Sequence, residues 1–508
     1  MKFYRIQAFL LGSVGLIYLA VWLFYNFSYG ISQSDPLIVN KVREFSARVA
    51  DKLSYYDVDE LFYLKDIETD KSTNIFFEFS DSDRLYNDSI ISFLKDNKVR
   101  VFEDVWKKWR KVDIIHKDKK IRAKYKFHGS STSQYINGYR SYSVRAKQPI
   151  NGKTSFKLVT CFEFSYINIF TNYIGSRNGL IVEDVGKVVA VGSNDGVFDY
   201  VQYRIFDENY LSEKYELNDP IILRRNTFES KGNPAEFHSS PLDDCHYNLD
   251  LKEVPRDVLT SWKNFLTTPT TGSFDPSYVG KYLAFLQYWG HPHSITGNND
   301  KWIFSNGKFY PVLRYEGNPS VLTFEDLNGD PFFAKFYHSS SHDVYKNLLI
   351  NEEVLYHRNM TLKSILDNQN KILRDLDSIY VSNSPVHQKY NDHFLKLKMY
   401  KDRNLATLEA NSENIARYLD QGFTMVYSDG VSLRIKSSRV NLLEVKVSGR
   451  IFKFQPYIYN YDSSGKLSSE LIEFTIDSVH DIKDLEIYDV ILNKELKNEE
   501  DYHILIGS

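Results

Sequence analysis

From Ala8 to Phe27 the chain reads AFLLGSVGLIYLAVWLFYNF, a segment without one charged side chain. About 20 apolar residues in a helix cross a hydrocarbon core of ~30 Å. Tyr18, Trp22, Phe24 and Tyr25 lie toward its far end, where an interfacial aromatic belt would sit. Lys2 and Arg5 precede the segment, and no basic residue follows until Lys41. The positive-inside rule then puts the N-terminus in the cytoplasm and everything after the segment on the other side. A cleaved signal peptide is the rival reading, but it needs a shorter apolar core and a small-x-small site. LFYNFSYGISQSDP offers no such site. The expectation is a single-pass cell-membrane protein with an extracytoplasmic C-terminal body.

That body is large. The chain has 508 residues, and domains commonly run to about 100–200, which suggests two to four units. Hydrophobic residues make up 42% and charged residues 25%, a globular balance. The formal net charge of −3 gives no bulk attraction to nucleic acid, so no nucleic-acid partner is expected. The 37 tyrosines and 34 phenylalanines suit β-rich packing, with a carbohydrate-facing surface as the alternative. Cys161 and Cys245 are the only cysteines: neither a disulfide framework nor a zinc cluster. Outside the cytoplasm one disulfide is permitted, as are two free thiols.

Hydrophobic periodicity divides the chain further. Residues 35–56 have helical spacing and read as a stalk. IRAKYKFHG (Ile121–Gly129) and YRSYSVRAK (Tyr139–Lys147) alternate as half-buried strands do. Pro276–Trp289 reads as a helix, and KWIFSNGKFYPVLRY as a hairpin turning at Asn306-Gly307. Helical spacing dominates Val344–Gln421, and strand spacing takes over from Phe423. The expected division is 1–30 cytoplasmic stub and anchor, 31–72 helical stalk, 73–421 main body and 422–508 small β domain.

The sequence lacks G-x-S-x-G, H-E-x-x-H and the P-loop pattern. The informative stretch, Tyr282–Pro319, gathers His291, His293, Asn298, Asn299, Asp300 and Glu316 around a hairpin. Hard oxygen ligands of this kind suit Mg²⁺ held together with phosphates. A polar surface loop with structural hydrogen bonds is the simpler reading of the same residues.

The motif order here resembles the spore coat protein H (CotH) kinase-like family, in its divergent envelope- and exopolysaccharide-associated branch. The residues concerned are Trp289-Gly290-His291-Pro292-His293-Ser294-Ile295, then Asn298-Asn299-Asp300-Lys301-Trp302, Gly307-Lys308-Phe309-Tyr310-Pro311 and Tyr315-Glu316-Gly317-Asn318. Upstream, KYKFHG with SYSVRAK, RNGLI (Arg177–Ile181) and YRIFDENYLSEK (Tyr203–Lys214) follow in the family's order, so the resemblance spans about Thr73 to Leu376. It implies an α+β fold: a reduced protein-kinase-like two-lobed body, with the N-terminal transmembrane helix and a C-terminal β-sandwich-like domain added. It implies ATP and Mg²⁺ or Mn²⁺ as cofactors if the site is active, Arg145 and Lys147 at the nucleotide's phosphates, Asn299 and Glu316 on the metal, and His293 and Asp300 at the substrate hydroxyl.

The chain departs from the family's pattern at several of these positions. Glu316 stands where the family has a metal-binding Asp, and His293 where active members carry a catalytic Asp. Asn168 replaces a helix Glu, and Tyr203-Arg204 replaces an acidic pair. The resemblance therefore implies a membrane-anchored envelope protein with a degenerate site, working with envelope or polysaccharide-assembly proteins in surface polysaccharide or coat assembly. The alternative is an active ATP- and metal-dependent kinase acting on an envelope protein or glycan.

Overall fold

Strict in–out alternation builds the first half. In β3 (Lys119–Phe127) Ile121, Ala123, Tyr125 and Phe127 are buried, while lysines and Arg122 point outward. β2 (Arg110–His116) pairs with it antiparallel around the Lys117-Asp118 turn, both of whose residues have positive φ, as a tight hairpin requires. β4 (Tyr142–Ile150) and β5 (Lys153–Thr160) repeat the arrangement around Asn151-Gly152. With β1 (Ile75–Glu78), β6 (Val185–Ser193) and β7 (Gly196–Arg204) these strands form a closed barrel in the order β1-β2-β3-β4-β5-β7-β6. Phe77, Phe79, Tyr125, Phe127 and Tyr142 fill its interior with ring contacts of 5.0–6.5 Å. Helix α1 (Asp81–Asp96) packs onto it through Asp83 to Arg110 and through Asn87, which accepts from Tyr125.

The structure is a computed structural model. It describes residues 75–96, 107–128, 140–160, 165–193, 196–224, 254–290, 300–315, 317–327, 343–390, 394–461, 467–479, 482–497 and 500–506.

The outer face of β6 and β7 is covered by α2 (Ser165–Arg177) and α9 (Gln369–Tyr390). Ile169 packs there against Val185, Val188, Val201 and Tyr203, and Asn383 accepts from the Val188 amide. Between α2 and α9 in sequence lie α3 (Glu208–Tyr215), α4 (Arg256–Thr267), α5 (Pro276–Trp289), α6 (Phe324–Leu327), α7 (Asp343–Leu349) and α8 (Glu352–Asp367). α10 (Phe394–Asp420) follows. A sheet of β8 (Ile221–Arg224), β9 (Lys301–Ser305) and β10 (Lys308–Pro311) runs in the order β10-β9-β8. The Asn306-Gly307 turn has both φ values positive, at 52° and 74°. Trp262, Phe265, Trp289, Trp302 and Tyr315 anchor the core of this half. α5 and α8 meet so closely at Gly280 that an added Cβ would lie 2.7 Å from the Val354 carbonyl.

Ten short strands follow among the described residues. β11 (Thr424–Ser428), β12 (Ser432–Ser437), β17 (Glu473–Asp477) and β20 (Tyr502–Ile506) make one sheet. β13 (Leu443–Val447), β14 (Arg450–Phe454), β18 (Glu486–Asp489) and β19 (Lys494–Leu496) make another, and β15 (Tyr457–Tyr461) pairs with β16 (Leu467–Leu471). The two four-stranded sheets share a core of Val426, Leu433, Ile435, Val445 and Ile487. This tail is joined firmly to the helices. Val440 and Ile491 belong to the helical core, Asn359 donates to the Val440 carbonyl, and Asn441 donates to the Leu419 carbonyl.

The expected fold class needs correction. The β-rich half is not the open sheet of a reduced kinase-like lobe, because β6 returns parallel to β1 and closes a seven-stranded barrel. Closure pairs the edge groups that an open sheet would leave exposed. The transmembrane helix of that expectation is also missing from the described elements: no helix among the described residues is long and apolar enough to cross a membrane. Ala8–Phe27 and the stalk at 35–56 lie outside the described residues.

Candidate functional site

Of the six residues singled out from sequence, Arg145, Lys147 and Asp300 are described, whereas His293, Asn299 and Glu316 lie outside the described residues. Arg145 and Lys147 are exposed on the outer face of β4. Asp300 is only 1% exposed. Its Oδ1 accepts from Trp302 Nε1 at 2.9 Å and from the Tyr345 hydroxyl at 2.6 Å. The Trp302 and Tyr345 rings lie 5.5 Å apart, and Trp302 also packs on Trp262 and Phe265. Asp300 thus sits buried among core aromatics, whereas Arg145 and Lys147 are exposed on β4. Farther along the same region, Trp289 and Tyr315 stack at 4.3 Å with rings 6° from parallel.

A different group of polar residues converges where the barrel meets the helices. It is built on the segment that leaves α2. Gly179 at φ +69° ends the helix, with Leu180 N–H returning to the Gly175 carbonyl. The segment is then pinned atom by atom. Ile181 N–H donates to the Tyr278 hydroxyl at 2.8 Å, and Leu313 N–H donates to the Ile181 carbonyl. Val182 N–H donates to the Tyr215 hydroxyl, the Tyr210 hydroxyl donates to the Val182 carbonyl, and Asn172 Nδ2 donates to the Glu183 carbonyl. Burial pushes the Tyr210, Tyr215 and Tyr278 phenols up, so they stay protonated as donors.

These bonds fix the Glu183 carboxylate, 12% exposed, against the Lys301 ammonium at 2.5 Å, with Arg314 Nε at 4.0 Å. Burial alone would raise the Glu183 carboxyl, but Lys301, Arg314 and Lys157 overcome it and hold it well below the usual carboxylate range. His128, at the end of β3, is half-buried, with Nδ1 3.2 Å from Ser143 Oγ. Burial first, then the Lys157, Lys107 and Lys301 ammoniums, hold its imidazole neutral well below the usual histidine range, against the pull of Glu183.

The cluster fixes one carboxylate, several cations and one neutral imidazole in a poorly hydrated place. Such an arrangement can hold a negatively charged group or orient a proton donor. It is not laid out for acyl transfer, since Ser143 is 6% exposed within β4. Among the described residues no group of three or more His, Cys, Asp or Glu side chains is arranged to hold a metal ion. Sequence reasoning missed the cluster because its members come from β3, β5, the α2–β6 segment and the β9–β10 hairpin, without a local motif. The one pointer was the RNGLI turn just before Glu183.

No family model matches the chain, and no curated protein matches it.

Proposed function

We propose that this chain is a non-catalytic envelope protein, attached through Ala8–Phe27 and of CotH-like kind, that serves surface polysaccharide or coat assembly by binding rather than by phosphoryl transfer. The observation that supports the binding reading is Asp300. Its carboxylate is buried and engaged by Trp302 and Tyr345 inside an aromatic core, whereas Arg145 and Lys147 are exposed on β4. Phosphoryl transfer needs its cations, metal and hydroxyl-orienting group within a few ångströms of one phosphate. Attachment rests on the charge-free segment and on Lys2 and Arg5 before it. The second reading, an ATP- and metal-dependent kinase, draws on the Glu183–Lys301–Arg314 cluster, whose fixed charges are of the type that bind phosphates.

Topology is tested with reporters fused after Ser508. A phosphatase reporter is expected to be active and a fluorophore that matures only in the cytoplasm to be dark. The reverse pair would put the body in the cytoplasm and overturn the export reading.

A further inference from the structure

Register places cations side by side on the barrel's outer face. Lys111 of β2 pairs directly with Lys124 of β3, and Lys124 pairs directly with Arg145 of β4. All three are exposed. Directly opposed residues in antiparallel strands share a face, and like charges so opposed destabilise a sheet. The row therefore works against folding, which local packing does not explain. Around it on the same face, Arg122 and Lys147 are exposed two residues from Lys124 and Arg145. The next row toward the Glu183 cluster, Lys126–Ser143–Lys157, is partly covered, with Ser143 6% exposed and Lys157 belonging to that cluster. Neighbouring strands lie ~4.8 Å apart and alternate residues ~7 Å apart along a strand, so the cations form a regular grid. The next row along these strands carries two acidic groups: Asp113 stands directly opposite Arg122, with Glu78 of β1 opposite Asp113, and both carboxylates pair with Lys120. In a chain of net charge −3 this is a strong local concentration.

One aromatic ring sits in the grid. Trp109 is half-buried, with Arg145 Cζ 4.8 Å and Lys126 Nζ 5.3 Å from its ring centroid. None of the exposed large hydrophobic side chains among the described residues lies on β2, β3 or β4. A bilayer partner would call for apolar side chains that insert. A regular grid of cations with one flat ring suits an extended polymer carrying repeated negative charge and ring faces.

We propose that the β2–β3–β4 face binds an acidic polysaccharide, its carboxylates or phosphates over the Lys111–Lys124–Arg145 row and a sugar ring against Trp109. The choice of glycan over nucleic acid rests on the exported, envelope reading given above. The test uses the full chain in non-ionic detergent, with a polyuronate as probe. A neutral glucan, duplex DNA, inorganic polyphosphate and phosphatidylserine vesicles are the comparison ligands. Polyuronate is expected to bind with an affinity that falls as salt rises, and the glucan not to bind. Lys124→Glu, which sets an acid between two cations, is expected to weaken polyuronate binding at least tenfold while leaving the melting temperature unchanged or higher. Trp109→Ala is expected to weaken polyuronate more than polyphosphate, which has no ring to stack. Undetectable polyuronate binding, binding indifferent to Lys124→Glu, or tighter binding to vesicles or DNA than to polyuronate would overturn the proposal. The reporter result is read separately: a cytoplasmic body would sink the export reading, whereas loss of glycan binding in an exported chain would sink only this one.

Discussion

Glu183→Ala is expected to lower the stability of the fold by about 3–5 kcal/mol, the usual cost of leaving one member of a buried ion pair without its partner. Lys301 is 8% exposed and would lose the carboxylate 2.5 Å from its ammonium, while Arg314 would lose its more distant share. Lys301→Ala should cost a similar amount. The double variant Glu183→Leu with Lys301→Met should recover most of the loss, because two apolar groups leave no uncompensated charge. Denaturant melts of the parent, Glu183→Leu, Lys301→Met and the double variant give the coupling directly. Additive losses in the double variant would mean that the two groups act independently.

The same cluster sets a pH dependence. His128 is held neutral in the folded state, whereas the unfolded chain takes up its proton near pH 6.5. Stability from this group is therefore present above about pH 6.5 and is lost as pH falls below it, at about 1.4 kcal/mol per pH unit. Glu183 has a depressed folded value, so its contribution is present above the ordinary carboxylate value and is lost as pH falls below that. His128→Asn should flatten the stability profile just below pH 6.5 and leave the acid limb in place.

The second large effect is expected at Arg358. This guanidinium is fully buried and donates to the Leu327 carbonyl, Gln287 Oε1, Asn359 Oδ1 and the Tyr418 hydroxyl. It thereby ties α8 to α5, α6 and α10. Asn359, next in sequence, reaches the tail at Val440. Arg358→Ala removes a large side chain and leaves several buried acceptors unsatisfied, a combined cost of at least ~3 kcal/mol. It should also loosen the joint between helices and tail. The sequence has six tryptophans, none after residue 421, so fluorescence follows the body while far-UV circular dichroism follows the whole chain. In the parent the two probes should unfold together, and in Arg358→Ala they should separate. Two transitions already present in the parent would show the tail to be independent.

Local features of this fold were legible in the sequence because local physics sets them. The alternation of IRAKYKFHG became β3, Asn306-Gly307 became the positive-φ turn its composition demands, and Pro276–Trp289 became α5. What escaped was non-local. The parallel pairing of Ile75 and Phe76 with Val191 and Gly192 closes the barrel across more than a hundred residues, with no local signal. Asp300 looked like a polar loop residue, but its neighbours Trp302 and Tyr345 draw it into the core as their acceptor. Glu183, Lys301, Arg314 and His128 are scattered charges in the sequence and meet only in the fold. A switch to strand periodicity near Gly422 suggested a small β domain from 422 onward. Val440 and Ile491 belong to the helical core as well, a contact that periodicity cannot reveal.

The measurement that bears most directly on the binding reading is incubation of the full chain with labelled ATP and Mn²⁺ or Mg²⁺, alone and with isolated envelope fractions. The account predicts no label above background on the chain or on any envelope component, with the same result for Asp300→Asn and Glu316→Ala. Robust incorporation that is lost in Glu316→Ala would contradict it and establish a working phosphotransferase.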